Sequence, residues 1–274
     1  MWSPGGGSAS CPNLSPNIRE VAAPDPPRAM AAAPAPMGEA EEAGADARPF
    51  EYAEWLATQE YFDDLRFANH AAIRYRLTGV PLVLAQNRLL GKGGIVWDAA
   101  FMLADHMLRG DALERGAAVV ELGAGAGLAG IAAAACRGCH VTLTDRKEYV
   151  PLLEANIARN RGAVDGANGR VEAAALEWTQ DLGGIPARYR RAFDVVLAAD
   201  CVADIYDAPA LLHTTRHVLK PGGRAYVLSR VRLPEHIEGV IAEATALFGD
   251  AELVDIDSDN RSTAHILLRL VAPS

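Results

Sequence analysis

Val119-Val120-Glu121-Leu122-Gly123-Ala124-Gly125-Ala126-Gly127 decides how this chain folds. An apolar, β-branched run that passes directly into glycines at alternate positions reads as a strand, a tight loop and then a helix over 127–136. Glycine lets bare backbone come close to a nucleotide-bearing ligand, and the N-terminus of the following helix points N–H groups at it. Working outward, short apolar runs at 118–122, 140–144, 171–176 and 193–199 alternate with helix-length segments at 127–136 and 149–159. Such alternation predicts a parallel sheet covered by helices. Downstream, a helix over 209–219 is expected to stop at Lys220-Pro221-Gly222-Gly223 before a strand at 224–228. A helix at 234–248 and strands at 251–256 and 263–270 complete the pattern. Upstream, Ile73, Tyr75 and Leu77, then Val80, Leu82 and Leu84, alternate around Thr78-Gly79 as a hairpin. After the Gly93-Gly94 break, Ile95-Val96-Trp97-Asp98 leads into an amphipathic helix carrying Phe101, Ala104 and Leu108 and ending near Gly110. There is no internal repeat.

The 274 residues are 50% apolar and 22% charged, enough to bury one substantial core. Lys+Arg 26 against Asp+Glu 35 gives a formal charge of -9, which argues against a broad face for nucleic acid. Four scattered cysteines do not make a disulfide framework and point to a reducing compartment, the cytoplasm. Residues 117–136 have the length of a membrane span, but Glu121 and the glycines Gly123, Gly125, Gly127 and Gly130 favour strand, loop and helix, so no membrane partner is expected. The opening Trp2-Ser3-Pro4 and glycine run lack the form of an export signal, and Arg19 and Arg28 are matched by Glu20 and Asp25, unlike a transit peptide. Residues 1–49 hold nine of the sixteen prolines and read as a disordered leader, with one domain over 50–274 opening at Phe50, Tyr52, Trp55 and Leu56.

The glycine loop alone leaves its ligand open. Gly125, Gly127 and Gly130 satisfy G-x-G-x-x-G, and Asp145, twenty positions after Gly125, suits a ribose hydroxyl pair, as in dinucleotide sites. Glu121 tips the balance: beside the loop, a carboxylate repels a diphosphate but suits the ammonium and sulfonium charges of S-adenosylmethionine. No room remains after the sheet for a second substrate domain, and no Gly-Lys-Ser/Thr follows the glycines as a P-loop requires. Glu121 could equally satisfy backbone donors, and Asp145 could cap the next helix.

Five ordered motifs narrow the reading: Val96-Trp97-Asp98-Ala99-Ala100, Glu121-Leu122-Gly123-Ala124-Gly125-Ala126-Gly127, Thr144-Asp145-Arg146-Lys147, Leu176-Glu177-Trp178 and Ala198-Ala199-Asp200. Together they resemble the seven-strand, class I methyltransferases of family 16, many of which methylate protein lysines. The resemblance implies a Rossmann-like α/β fold: a mostly parallel seven-strand sheet, an antiparallel last strand and helices on both faces. It implies an S-adenosylmethionine-dependent enzyme acting on a lysine of a non-histone protein, with chaperones among the candidates. Carried over, Trp97 flanks the cofactor near its methionine end, and Gly123, Ala124 and Gly125 cradle it. Asp145 takes the ribose hydroxyls, Trp178 stacks beside the adenine, Ala199 lines the pocket, and Asp200 orients the acceptor amine. The family often places an aromatic three positions after that acid. Here the position is Ala203, with Tyr206 out of register. A small-molecule acceptor and a non-catalytic binding protein of the same fold are the alternatives.

Other patterns carry less chemistry. Cys136-Arg137-Gly138-Cys139 sits at a helix end without a second ligand pair and reads as packing. His213 and His217 lie on one helix, but residue 214 is Thr, so the glutamate of the zinc motif is missing and no metal is expected. Arg188-Tyr189-Arg190-Arg191 reads as a solvated turn.

Overall fold

The chain alternates strand and helix through its middle, and the resulting sheet is the frame on which everything else is hung. The computed structural model describes residues 72–77, 79–203, 205–231, 234–249, 251–254 and 265–274. The expected leader, the aromatic cluster beginning at Phe50, Thr78 of the hairpin turn and the ends of the last two expected strands lie outside the described residues.

A two-stranded hairpin, β1 (Ala72–Leu77) and β2 (Val80–Ala85), is followed by helix α1 (Asp98–Arg109) and the sheet strands. These are β3 (Ala118–Leu122), β4 (His140–Asp145), β5 (Arg170–Ala175), β6 (Phe193–Ala199), β7 (Leu219–Arg230), β8 (Ala251–Val254) and β9 (His265–Val271). Helices α2 (Leu128–Arg137), α3 (Val150–Gly166), α4 (Ala208–Val218) and α5 (Pro234–Phe248) connect them. The seven strands lie in the order β5-β4-β3-β6-β7-β9-β8. From β5 through β7 all pairings are parallel, and β9 runs antiparallel to both β7 and β8. Strand order reverses between β3 and β6, and that is where open α/β sheets leave a crevice beyond their carboxyl ends.

Period-two alternation divides the core. Val119 of β3 and Leu197 of β6 face a layer built from the hairpin, α1, α2 and α3, where Leu82, Phe101, Ile131 and Leu153 are buried. Val120, Leu122 and Val196 face the other layer, with Leu211, Leu212, Val240 and Phe248 of α4 and α5. Among the described residues no helix is long and apolar enough to cross a membrane.

Two expectations need correction. Lys220-Pro221-Gly222-Gly223 does not separate α4 from a strand; β7 already pairs at Leu219 and extrudes those four residues as a bulge, since Phe193 faces Leu219 while Val195 faces Arg224. The insertion is held by Gly222 N–H to the Ala272 carbonyl (2.9 Å) and Ala272 N–H to the Gly223 carbonyl (2.8 Å). Helix α3 also runs on to Gly166 and not only to 159, because tertiary bonds to Asn160 outweigh the weak helical preference of Asn and Gly there.

The hairpin is fastened by side chains that imitate a strand. Asn156 accepts the Ala85 N–H (2.7 Å) and donates to the Ala85 carbonyl (3.1 Å). One turn on, Asn160 does the same with Val83 (2.8 and 2.9 Å). The edge of β2 is thereby satisfied without a further strand.

Candidate active site

The carboxyl ends of β3, β4, β5 and β6 open onto a cavity of about 600 Å³. Its lining includes Trp97, Glu121, Gly123, Ala124, Gly125, Asp145, Trp178, Ala199 and Asp200, so the residues singled out from five separate sequence motifs meet in one space. Leu90, Lys92 and Gly93 from the turn before α1, and Ile205, Tyr206 and Asp207 from the loop after β6, complete its sides.

Alternation along β3 turns Glu121 to the same side as Val119, toward α2. There its Oε2 accepts the N–H of Gly130 (2.8 Å), one of the unpaired donors in the first turn of the helix. Gly130 makes that approach feasible: a Cβ there would lie 2.4 Å from Leu143 and 2.8 Å from the Glu121 oxygen. Burial pushes the Glu121 carboxyl up to about 8, with the Gly130 N–H opposing and the Asp145 charge adding to the shift. At neutral pH this acid is held largely protonated until a positive charge comes beside it. The two readings of Glu121 meet here, as it satisfies a backbone donor and also faces the cavity.

Asp145, at the end of β4, accepts the N–H of Gly125 on Oδ2 (2.8 Å) and that of Arg146 on Oδ1 (2.7 Å). Burial raises its carboxyl above the ordinary range, and these two donors partly offset the rise. Gly123 has φ +68, and a Cβ on it would fall 2.6 Å from the Trp178 ring and 2.8 Å from Cys201 Sγ. Only glycine lets the indole close over the loop. Trp97 is pinned by its Nε1–H, which donates to the Lys92 carbonyl (2.9 Å).

Asp200 follows β6 in a left-handed conformation, φ +54, and is 8% exposed. Its N–H donates to the Leu228 carbonyl (2.7 Å) and its Oδ1 accepts the Arg230 N–H (3.3 Å), so β7 fixes the carboxylate. Tyr206 corrects the linear reading. A turn closed by its N–H to the Ala203 carbonyl (2.9 Å) buries Ala203 and carries the phenol back to the cavity wall. The ring stands edge-on to Trp178, with centroids 6.0 Å apart at 71°. Burial, then the neighbouring Cys201 and Asp200, push its hydroxyl up to about 12, so it remains a neutral phenol at any working pH. Cys201 is a second lining residue that motif reading passed over; burial and nearby carboxylates keep it a thiol, directed at the Ala199 carbonyl (3.3 Å). Neither has a motif of its own, and only adjacence to Asp200 in the chain hinted at them.

The remaining patterns lie elsewhere. Cys139 is buried with its Sγ near the Glu114 carbonyl (3.5 Å), and Cys136 is half-buried in the last turn of α2. His213 faces Glu243 of α5 (3.3 Å), and the Arg188 guanidinium lies over the Tyr189 ring (4.6 Å).

The donor set tests the ligand. Two acids lie beneath the ligand space, Asp145 holding the glycine loop at Gly125 and Glu121 the first turn of α2 at Gly130, and two indoles offer flat apolar faces. A diphosphate would meet the Asp145 carboxylate as like charge and keep Glu121 neutral, whereas a cationic adenosyl compound would draw the proton off Glu121 and meet opposite charge and stacking surfaces. These residues fit S-adenosylmethionine.

Comparison with known proteins agrees. A family model described as lysine methyltransferase matches residues 77–239. The chain is 35% identical over 222 residues to EEF1A lysine methyltransferase 3 of Mus musculus, covering 80% of this chain and 88% of that protein. It is 32% identical over 200 residues to protein N-lysine methyltransferase METTL21A of Danio rerio, covering 72% and 87%. Among solved structures, a predicted O-methyltransferase from Agrobacterium tumefaciens superposes with TM-score 0.50 at 22% identity, covering 64% of this chain and 81% of that one. TYW2 of P. horikoshii in complex with MeSAdo gives 0.51 at 17% identity, covering 74% and 72%, which speaks to the fold alone. With its motifs gathered at one crevice of that fold and the match running across most of the sheet, this chain belongs to the lysine methyltransferase family and is an S-adenosylmethionine-dependent enzyme.

Proposed function

We propose that the protein methylates the side-chain amine of a lysine in a protein acceptor, with Trp97, Gly123, Ala124, Gly125, Asp145, Trp178 and Ala199 holding the cofactor and Asp200 orienting the amine. The observation that carries the reading is the convergence of these residues, Glu121 and Tyr206 on one cavity at the carboxyl ends of the strands. When bound, S-adenosylmethionine supplies a methyl group activated by its sulfonium. The chain's own work is alignment and exclusion of water. Asp200, its Oδ1 held by the Arg230 N–H of β7, attracts the ammonium of the incoming lysine, whose proton, bound with a reference pKa of about 10.4, leaves to water at the cavity mouth before the amine is aligned. Tyr206, neutral and edge-on to Trp178, walls the path of the alkyl stem. Glu121 answers the positive charge of the cofactor from below the loop.

The name of the mouse relative makes EEF1A the first acceptor to try, and the family resemblance makes a chaperone the second. A cytoplasmic setting is part of the proposal, supported by the buried free thiols Cys139 and Cys201. The test is incubation of the purified chain with methyl-labelled cofactor and a cell extract, followed by mass spectrometry of the labelled band. Label on a lysine is the expected outcome, and label confined to small molecules, or absent despite cofactor binding by calorimetry, would overturn it.

A further inference from the structure

We infer that the mouth of the cavity carries an apolar docking rim, Leu89 and Ile205, which takes an apolar side chain of the protein acceptor close to its target lysine; the inference rests on the function proposed above. Four large hydrophobic side chains are conspicuously exposed among the described residues: Leu89 at 97%, Ile205 at 54%, Leu253 at 54% and Val271 at 46%. Leu253 and Val271 belong to β8 and β9 at the margin of the sheet. Leu89 and Ile205 instead sit on the two segments that line the cavity without belonging to the sheet, the 3-10 turn Arg88–Gly94 and the loop after β6.

Leu89 is displayed by a fixed scaffold. Its N–H donates to Asn87 Oδ1 (3.1 Å), Leu90 N–H to the Asn87 carbonyl (3.0 Å) and Asn87 N–H to the Gly94 carbonyl (2.7 Å). The Tyr149 hydroxyl donates to the Leu90 carbonyl and Trp97 Nε1–H to that of Lys92, both at 2.9 Å. A turn so heavily tied has no freedom to fold its leucine inward, so the side chain stays in water until something covers it. The next residue, Leu90, already walls the cavity, and Ile205 belongs to both the wall and the exposed surface.

Continuity with the cavity selects the occupant. A lysine reaching Asp200 must bring its own backbone neighbours across this rim, and those neighbours are what the two aliphatic side chains would cover. Charge agrees: Glu177, Asp200 and Asp207 join Asp145 at the cavity against Lys92 and Arg146, an acidic balance that favours a segment cationic at the lysine and apolar beside it. A small acceptor enclosed by the cavity would have no use for an exposed leucine outside it.

The test uses the full chain and whichever protein the wild type labels, purified EEF1A being tried first. Leu89→Ser is expected to raise KM for that protein about tenfold while kcat stays within about twofold, the pattern of lost uniform binding, and Ile205→Ser, which also alters the cavity wall, to raise KM at least as much. Leu89→Ser should leave the cofactor Kd unchanged by calorimetry, since a side chain 97% exposed bears on neither folding nor the cavity floor. Leu253→Ser, altering an aliphatic as exposed as Ile205 but on β8, is expected to leave KM unchanged. A wild type that labels no protein overturns the function on which the rim rests. A wild type that labels one, with KM unmoved in both rim variants or raised as much by Leu253→Ser, overturns the rim alone. So does light scattering that finds a dimer dissociated by Leu89→Ser, which would make the rim an interface between copies of this chain.

Discussion

Glu121 is a buried acid whose proton is held by its surroundings, and this gives a sign that can be measured. Its carboxyl ionises at about 4.5 in the unfolded chain and about 8 in the fold, so the native state binds the extra proton between those values. Its contribution to stability is therefore full below about 4.5 and is lost as pH rises through about 8. A cation beside it reverses the preference, so cofactor binding should release protons below pH 8 and tighten as pH rises toward that value. Calorimetry in buffers of different ionisation heat is expected to detect the release, and Glu121→Gln should abolish it. Asp200 calls for a different substitution. With φ +54, Asn is the replacement that tolerates the backbone while removing the charge. Asp200→Asn is expected to lower kcat by about 10- to 100-fold with cofactor Kd unchanged, and Tyr206→Ala to raise acceptor KM more than Tyr206→Phe does. At this scale the sequence was informative wherever a residue belongs to a contiguous motif, as Glu121, Asp145 and Trp178 do. Tyr206 escaped because counting positions from Asp200 cannot foresee a turn that doubles the chain back.

Secondary structure elements were legible wherever periodicity governs them: the boundaries of β3, β6, α1 and α5 fall within a residue or so of the pattern. What binds the elements together was not. Asn156 and Asn160 look like weak points in a helix, yet their amides reach strand residues more than seventy positions earlier, at Ala85 and Val83. No local pattern records such a pairing. Asn160→Leu strands the half-buried N–H and carbonyl of Val83 and should cost about 1–3 kcal/mol in urea unfolding. Asn156→Leu should cost a similar amount and in addition weaken cofactor binding, because Asn156 Nδ2 also donates to the Ala126 carbonyl in the glycine loop (2.9 Å). Asp98, directly after Trp97, forms a buried 2.8 Å pair with His265 at the start of β9. Asp98→Ala is expected to destabilise the fold by about 1–3 kcal/mol, read by the same denaturation, since it takes a buried polar neighbour from His265.

For the whole molecule, the strand order explains why residues from β3, β4, β5 and β6 can share one cavity; alternation of apolar runs with helices foretold the parallel sheet, and the gathering of those residues came from the family resemblance. The Lys220–Gly223 bulge was misread because Pro and Gly end a helix and interrupt a ladder equally well. We propose that 50–274 form the catalytic domain, so a chain lacking 1–49 should bind cofactor with unchanged Kd by calorimetry. The division of labour between sheet and surroundings reaches further. Because the turn Arg88–Gly94 and the loop after β6 hold the cavity open from outside the strands, either could be grafted from a relative while the nucleotide cradle stays intact. Chimaeras made this way are expected to shift which protein takes label, checked by mass spectrometry of the labelled band.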